Sequence, residues 1–151
     1  MSWNEVKEEK DIQHLLEQFG YFHDSCLKEL YLWTESYVNK DLSMAVPGNL
    51  DTNVRILFQR QFQNPSAIEL VFEGVTSFHV VPSPEGYDSI IRDAIILLHK
   101  GLIYWADAYE WHPENKNFQE NSSWISAKNL KWREVSSWMG KENRYGVIDE
   151  D

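Results

Sequence analysis

Apolar and polar residues alternate along most of this chain with the period of two that is typical of half-buried β-strands. The clearest case is residues 53–62 (NVRILFQRQF), in which Val54, Ile56 and Phe58 share one face. Residues 26–38 (CLKELYLWTESYV) are apolar on both faces, which predicts that both faces are at least partly covered. The pattern predicts strands over residues 26–38, 53–62, 67–73, 75–81, 92–99, 102–111 and 123–135.

The first twenty residues have a helical period instead, and they predict a helix over residues 3–19. Ser2 and Glu5 fit a capping box at its start, and Gly20 stands where a C-terminal cap is expected. The apolar stripe of this helix comprises Val6, Ile12, Leu15, Leu16 and Phe19. The stripe is narrow, so we expect the helix to lie on the surface of another layer.

One helix followed by roughly seven short strands predicts an α+β fold, with the N-terminal helix packed on a mainly antiparallel β-sheet. Short turns join the strands, which argues against a parallel, doubly wound sheet. Residues 88–98 suit a strand or a helix, and the hairpin that follows favours a strand. The length of 151 residues predicts a single domain over residues 1–151, with a short acidic tail at residues 147–151.

The charge of the chain is strongly acidic. The sequence has 14 Lys and Arg against 24 Asp and Glu, a net charge of −10 at pH 7. This balance argues against nucleic-acid binding and against docking on anionic lipid, since both use clustered basic residues. The excess of acidic over basic residues is concentrated in residues 61–114, whose net charge is −6. We interpret that region either as solvated surface or as a docking face for a basic protein partner.

Several common kinds of site are missing from the sequence. The single cysteine, Cys26, excludes an internal disulfide and a multi-cysteine zinc site. Glycine-rich phosphate loops and the GxSxG and HExxH motifs are absent, and no apolar run approaches the ~20 residues that span a bilayer. We therefore expect a cytoplasmic protein that binds no cofactor, no metal, no nucleic acid and no membrane.

The segment over residues 102–111 (LIYWADAYEW) carries the most distinctive side chains. Glu110 lies on its small face. The other face, if the segment is one strand, holds large side chains and one acid: Ile103, Trp105, Asp107, Tyr109 and Trp111. A buried Asp107 needs a partner such as Arg60, Arg92 or a backbone N–H. An exposed one would form, with the aromatic rings, a surface suited to a basic protein or a sugar-like ligand.

Two stretches resemble a known class of protein. Residues 22–30 (FHDSCLKEL) and 103–107 (IYWAD) are similar to segments of small bacterial proteins of the polymorphic-toxin immunity type. Such proteins begin with a helix, enter a sheet through an F-x-D element and carry a W-x-D strand. The resemblance implies a small cytosolic α+β protein that protects a cell by binding a toxin, and it transfers no catalytic residue.

The prediction that follows is a non-enzymatic protein-binding module, an immunity-type inhibitor that occludes a basic toxin with an acidic and aromatic face. One alternative is a small hydrolase or ligand-binding protein in which His23, Asp24, His79 and Asp107 converge. Another is a structural homo-oligomer, such as a homodimer, with an aromatic self-interface. The residues predicted to bind the partner are Glu69, Glu73, Trp105, Asp107, Tyr109, Glu110 and Trp111.

Overall fold

A computed structural model describes residues 2–143 and 145–146 of the chain. The predicted acidic tail, residues 147–151, lies outside these ranges. The helices are α1 (Glu9–Gln18) and α2 (Lys116–Gln119), and Gly20–Phe22 form a short 3-10 turn. The strands are β1 (Asn4–Val6), β2 (Ser25–Thr34), β3 (Tyr37–Val38), β4 (Met44–Ala45), β5 (Thr52–Arg60), β6 (Ala67–His79), β7 (Ile95–His99), β8 (Leu102–Ala106) and β9 (Trp124–Glu134).

Seven of the described strands form one antiparallel sheet: six lie in the order β2-β5-β6-β9-β8-β7, and the seventh, β1, pairs with β9. Strand β9 lies near its centre, because one edge pairs with β6 while the other pairs first with β8 and then with β1. Strands β3 and β4 form a separate two-stranded hairpin. The prediction of an α+β fold with an N-terminal helix and a mainly antiparallel sheet is confirmed.

The main core lies between α1 and one face of the sheet. The helix buries Ile12, Leu15 and Leu16 there. An aromatic cluster continues the core beyond the helix, because Phe22 and Trp105 both pack against Phe58, with ring centroids 4.9 and 5.2 Å away. Burial of these large rings is the main favourable contribution to folding.

The N-terminus differs from the predicted helix over residues 3–19. Residues 4–6 form β1 and pair with β9, and α1 begins only at Glu9. The capping box belongs to Glu8 and Asp11, not to Ser2 and Glu5: the Asp11 carboxylate accepts the N–H groups of Lys7 and Glu8, both at 3.0 Å. Pairing with a central strand outweighs the weak local helical signal of the first residues.

Two predicted strand boundaries also differ. The separate strands over residues 67–73 and 75–81 are one strand, β6, which passes through Gly74 at a φ of +66° and a register shift at Val75. The shift lies between Val75 and Ser77, so Thr76 is the extra residue, and a bulge of this kind bends a strand without ending it. The predicted strand over residues 102–111 ends at Ala106, so alternation stops before Trp111.

Strand β2 is an edge strand of the sheet, and its second half is uncovered. Its outer edge is bridged at Ser25, which pairs with Ile91. Farther along, Tyr31 and Leu32 are half exposed. The expectation that both faces of residues 26–38 are at least partly covered holds as far as Leu30 and at Trp33, and it is wrong for Tyr31, Leu32, Tyr37 and Val38. No helix among the described residues is long and apolar enough to cross a bilayer.

Candidate functional site

Glu69, one of the predicted partner-binding residues, is buried on the sheet face that lies opposite α1. Its two carboxylate oxygens accept hydrogen bonds from Nε of Arg55 at 2.6 Å and from Nε of Arg133 at 2.8 Å. Arg55 also pairs with Glu29 at 3.2 Å and donates to the carbonyl of Tyr145. Glu69 is 4% exposed, and the two arginines balance its negative charge inside the molecule.

Aromatic rings cover this ionic network. The guanidinium groups of Arg55 and Arg133 lie 5.7 and 5.4 Å from the ring of Trp138. Trp3 lies 4.5 Å from the guanidinium of Arg133 and 4.9 Å from Nζ of Lys131. Cation–π contacts of this kind stabilise cations that are partly removed from water. This part of the sheet is therefore an internal structural element.

The other predicted residues do not share one surface. Glu73 is exposed, and its carboxylate lies 3.9 Å from Nζ of Lys131. Tyr109 and Glu110 are exposed in the turn after β8. Trp105 and Trp111 are buried, and they lie on opposite faces of the sheet: Trp105 packs in the α1 core, while the ring of Trp111 is 5.3 Å from that of Trp124. The proposed aromatic stripe is divided because the strand ends at Ala106.

Asp107 lies in the turn after β8 and is partly buried. Its Oδ1 accepts the N–H of Ser123 at 3.0 Å, and its own N–H donates to the carbonyl of Ser123 at 3.1 Å. The partner of Asp107 is therefore a backbone N–H. The sequence analysis expected this, Arg60 or Arg92. Burial raises the pKa of Asp107 above its ordinary value, and the hydrogen bond from Ser123 opposes this rise.

The histidines and acids of the alternative site are dispersed. His23 lies beside Asp24, with its Nδ1 2.6 Å from the carbonyl of Arg92, and this contact and the charge of Asp24 raise the pKa of His23. His79 contacts the carbonyl of Ser122. Asp24 lines one cavity and Asp107 another, and neither cavity contains a second of the four residues. No group of three potential metal ligands occurs within the described ranges.

Eight large apolar side chains that lie within residues 31–50, on and just after the second half of β2, are exposed. We call this group the edge surface. Its members are between 46% and 84% exposed: Tyr31, Leu32, Tyr37, Val38, Leu42, Met44, Val46 and Leu50. Single exposed apolar residues are common, but a group in one short segment is typical of an interaction site.

Polar contacts fix the β3–β4 hairpin that carries much of the edge surface. The N–H of Asn39 donates to the carbonyl of Ser43 at 2.8 Å, and the Asp41 carboxylate accepts the N–H of Ser43 at 3.0 Å. At the base of the hairpin, the hydroxyl of Ser36 donates to Asp51 at 2.6 Å. These bonds hold the hairpin backbone that carries exposed apolar residues.

Acidic side chains accompany the edge surface. Residues 31–51 contain Glu35, Asp41 and Asp51 and a single base, Lys40. None of the three carboxylates has a cation within 4.0 Å among the residues that the structure describes. The edge surface is therefore apolar with an uncompensated negative charge.

The sequence analysis singled out other residues as partner-binding and did not predict that residues 31–50 carry exposed apolar side chains. A signal was nevertheless present, because Leu42, Met44, Val46 and Leu50 lie in a segment with loop residues such as Pro47. Large apolar residues in a segment that lies between the predicted core strands have no core face to join, and this is a mark of exposed hydrophobic groups.

Comparison of the chain with protein-family models, with curated proteins and with solved structures gives no match.

Proposed function

We propose that this chain is a non-enzymatic protein-binding module and that it binds a basic protein through the edge surface. The observation that carries the proposal is the concentration of half-exposed or exposed apolar residues on an edge strand and the hairpin that follows it. Burial of such side chains against a partner is the main source of binding free energy in protein complexes.

The open edge of β2 favours binding by addition of a partner strand. Beyond Ser25, backbone groups on the outer side of this strand have no strand partner among the described residues. A partner strand can add to such an edge, with main-chain hydrogen bonds for affinity and side-chain contacts for specificity. Tyr31 and Leu32, which project to opposite faces of β2, would contact such a strand on both sides.

The negative charge of the edge surface favours a basic partner. Glu35, Asp41 and Asp51 face solvent or lie near it without a cation. A basic partner would neutralise them, and the net charge of −10 would accelerate its approach. The ordered hairpin lowers the entropic cost of binding, because its backbone is already held in place.

The immunity-type resemblance of residues 22–30 and 103–107 fits this proposal. On that reading the basic partner is a toxin, and the chain inhibits it by occlusion. The proposal differs from the sequence prediction in the surface used, because Glu69, Trp105 and Trp111 are buried. Glu73, Tyr109 and Glu110 remain exposed and lie outside the edge surface.

The test begins with a photo-crosslinking amino acid at Tyr37, with the same substitution at the exposed Tyr87 as a control. Crosslinking in native cells, followed by mass spectrometry, identifies the partner. The purified partner is then titrated with the chain by calorimetry at low and high salt. We expect a basic protein whose affinity decreases as salt increases.

Two substitutions then test the surface. Leu32 on β2 and Leu98 on β7 are similarly exposed, at 46% and 41%, on opposite edge strands. We expect Leu32→Lys to weaken binding by roughly tenfold or more, since an apolar contact is lost from an interface, and Leu98→Lys to leave it unchanged. Equal effects of both, or capture of only a second copy of this chain, would contradict the proposal.

A further inference from the structure

A cavity of about 280 Å³ lies between the segment that joins β8 to β9 and the sheet face opposite α1. Its sheet wall is a row of three residues that pair across neighbouring strands: Ser77 of β6, Ser126 of β9 and Tyr104 of β8. Residues paired in this way project to the same face of a sheet. The two serines are small, and they leave open space above the sheet beside the tyrosine ring.

A β-bulge adds a second hydroxyl side chain to the mouth of this cavity. Thr76 is the extra residue of the bulge in β6, and Thr76 and Ser77 both line the cavity. Neighbours in a regular strand would project to opposite faces, but a bulge redirects one of them. Both residues are exposed, so this wall is open to solvent. The Thr76 hydroxyl is held in place by the buried hydroxyl of Ser126, 2.7 Å away.

Aromatic rings form another wall of the cavity. Tyr104 and Trp124 both line it and are partly exposed. The buried Trp111 supports them, with its ring centroid 5.5 Å from that of Tyr104 and 5.3 Å from that of Trp124. The Tyr104 and Trp124 centroids are 6.5 Å apart. A flat molecule held between two parallel rings needs a separation of roughly 7 Å, so a ligand can contact this cluster only from one side.

The described walls of the cavity carry no charged side chain. The remaining wall residues are Leu102 and Pro113, which are apolar. The net charge of −10 further disfavours an anionic ligand. The site therefore suits a neutral molecule with one apolar face for the rings and with hydrogen-bonding groups for Thr76 and Ser77.

We propose that this cavity binds one neutral sugar ring. A pyranose presents an apolar face of C–H groups, which carry a small positive charge and pack on the negative face of an aromatic ring. Its hydroxyl groups both donate and accept hydrogen bonds, as those of Thr76 and Ser77 do. An engineered cavity of about 150 Å³ holds benzene, so a cavity of about 280 Å³ has room for roughly ten to twelve non-hydrogen atoms, the size of one hexose.

This site goes beyond the proposed function and does not depend on it. The cavity lies between β6, β8 and β9, and it contains none of the residues that define the edge surface. The same ligand chemistry has two sources: a free monosaccharide, and the terminal sugar of a longer glycan.

The first test is a nuclear magnetic resonance titration of the labelled protein with the methyl glycosides of glucose, galactose and mannose, and with indole as a flat aromatic comparison. We expect at least one glycoside to give a saturable shift of the Trp124 indole N–H signal. The Trp33 indole signal should not move. Trp33 also stacks on an exposed tyrosine, Tyr31, so it reports nonspecific contact between sugars and aromatic rings.

Three outcomes of this titration would overturn the site. The first is the absence of a saturable shift with every glycoside. The second is an equal response of Trp33 and Trp124, which would mean that sugars contact any exposed ring. The third is tighter binding of indole than of any glycoside, which would assign the cavity to flat aromatic molecules.

Two matched variants locate the binding site. Ser77→Leu places an apolar side chain in the cavity, so the glycoside should bind roughly tenfold more weakly or worse. Thr34→Leu makes a similar change at an exposed strand residue of β2, outside the cavity, and should leave the affinity unchanged. Equal glycoside affinities of the two variants would contradict the assignment of the cavity.

Disaccharide probes distinguish the two sources of the ligand. The methyl glycosides of cellobiose, lactose and mannobiose end in glucose, galactose and mannose, respectively. Binding as tight as that of the corresponding monosaccharide would assign the site to the terminal sugar of a glycan. Loss of binding would assign it to a free monosaccharide, because the second ring would then have no exit from the cavity.

Discussion

Gly20 packs directly against the guanidinium group of Arg60: a Cβ atom on Gly20 would lie 2.8 Å from Nη1. Arg60 cannot easily move aside, since its residue is 6% exposed and it donates to the carbonyls of Pro65 and Gln18. The bond to Gln18 satisfies a carbonyl in the last turn of α1. The contact therefore joins the end of the helix to β5.

The substitution Gly20→Ala should destabilise the protein by about 2–4 kcal/mol in urea unfolding. The φ of +55° is unfavourable for alanine, and the new methyl group would displace the Arg60 guanidinium. Gly101→Ala is the control, because Gly101 also has a positive φ, +81°, but nothing lies within 4 Å of the added Cβ. If both variants lose the same stability, the contact with Arg60 has no energetic role.

Glu69→Gln should reduce the free energy of unfolding by about 3–5 kcal/mol, because it leaves the buried Arg55 and the partly buried Arg133 without their shared carboxylate. Glu73→Gln, on the same strand, should change it by no more than about 0.5–1 kcal/mol, since the Glu73 carboxylate is exposed and lies 3.9 Å from a Lys131 that is only partly buried. Chemical denaturation of the two variants tests this difference. A large loss in the Glu73 variant would show that the surface pair is stronger than its geometry indicates.

Asp11→Asn should lower the melting temperature at neutral pH. The N–H groups of Lys7 and Glu8 lower the pKa of Asp11, so its ionised form stabilises the folded state. This stabilisation is complete above the ordinary pKa of 3.8 and is lost as the pH falls through the lower pKa of the folded state. Melting curves between neutral and strongly acidic pH should therefore converge for the two proteins. A constant difference at every pH would attribute the loss to packing.

Asp107→Asn should change the melting temperature at neutral pH in the opposite direction, upward. Burial raises the pKa of Asp107, so the ionised group destabilises the folded protein at neutral pH, and the variant should melt at a higher temperature. The advantage is complete above the raised pKa and disappears once the pH is below 3.8, where the carboxyl group is protonated in both states. A variant that is less stable at neutral pH would show that the charge of Asp107 is compensated in the free protein.

The sheet was largely predictable, since alternation places Val54, Ile56 and Phe58 of β5 on the face of the main core. Burial of the other face of β5, with Arg55 and Leu57, was not predictable, because distant segments of the chain cover it. The end of β8 was not predictable either, because the alternation of Trp105, Asp107 and Tyr109 continues past the last strand residue, Ala106. The Asp107 N–H still donates to the carbonyl of Ser123, the next residue in register, but the N–H of Ser123 donates to the Asp107 side chain, a contact between distant segments that local pattern does not encode.

The edge surface escaped prediction for a related reason. The pattern of Tyr31 and Leu32 is that of a strand with two apolar faces, and the pattern is the same for a covered strand and for an open one. Which strand stands at the edge follows from topology. In this sheet β2 pairs on one side with β5, and the covering bridge on the other side stops at Ser25.

The position of β9 affects how the protein is made. This strand is hydrogen-bonded to β6, β8 and β1, yet it is the last strand of the described chain to be synthesised. Until residues 124–134 leave the ribosome, the facing edges of β6 and β8 have no partner, and strands in that state readily pair with other chains. The sheet of the nascent protein can therefore be completed only after β9 has been synthesised.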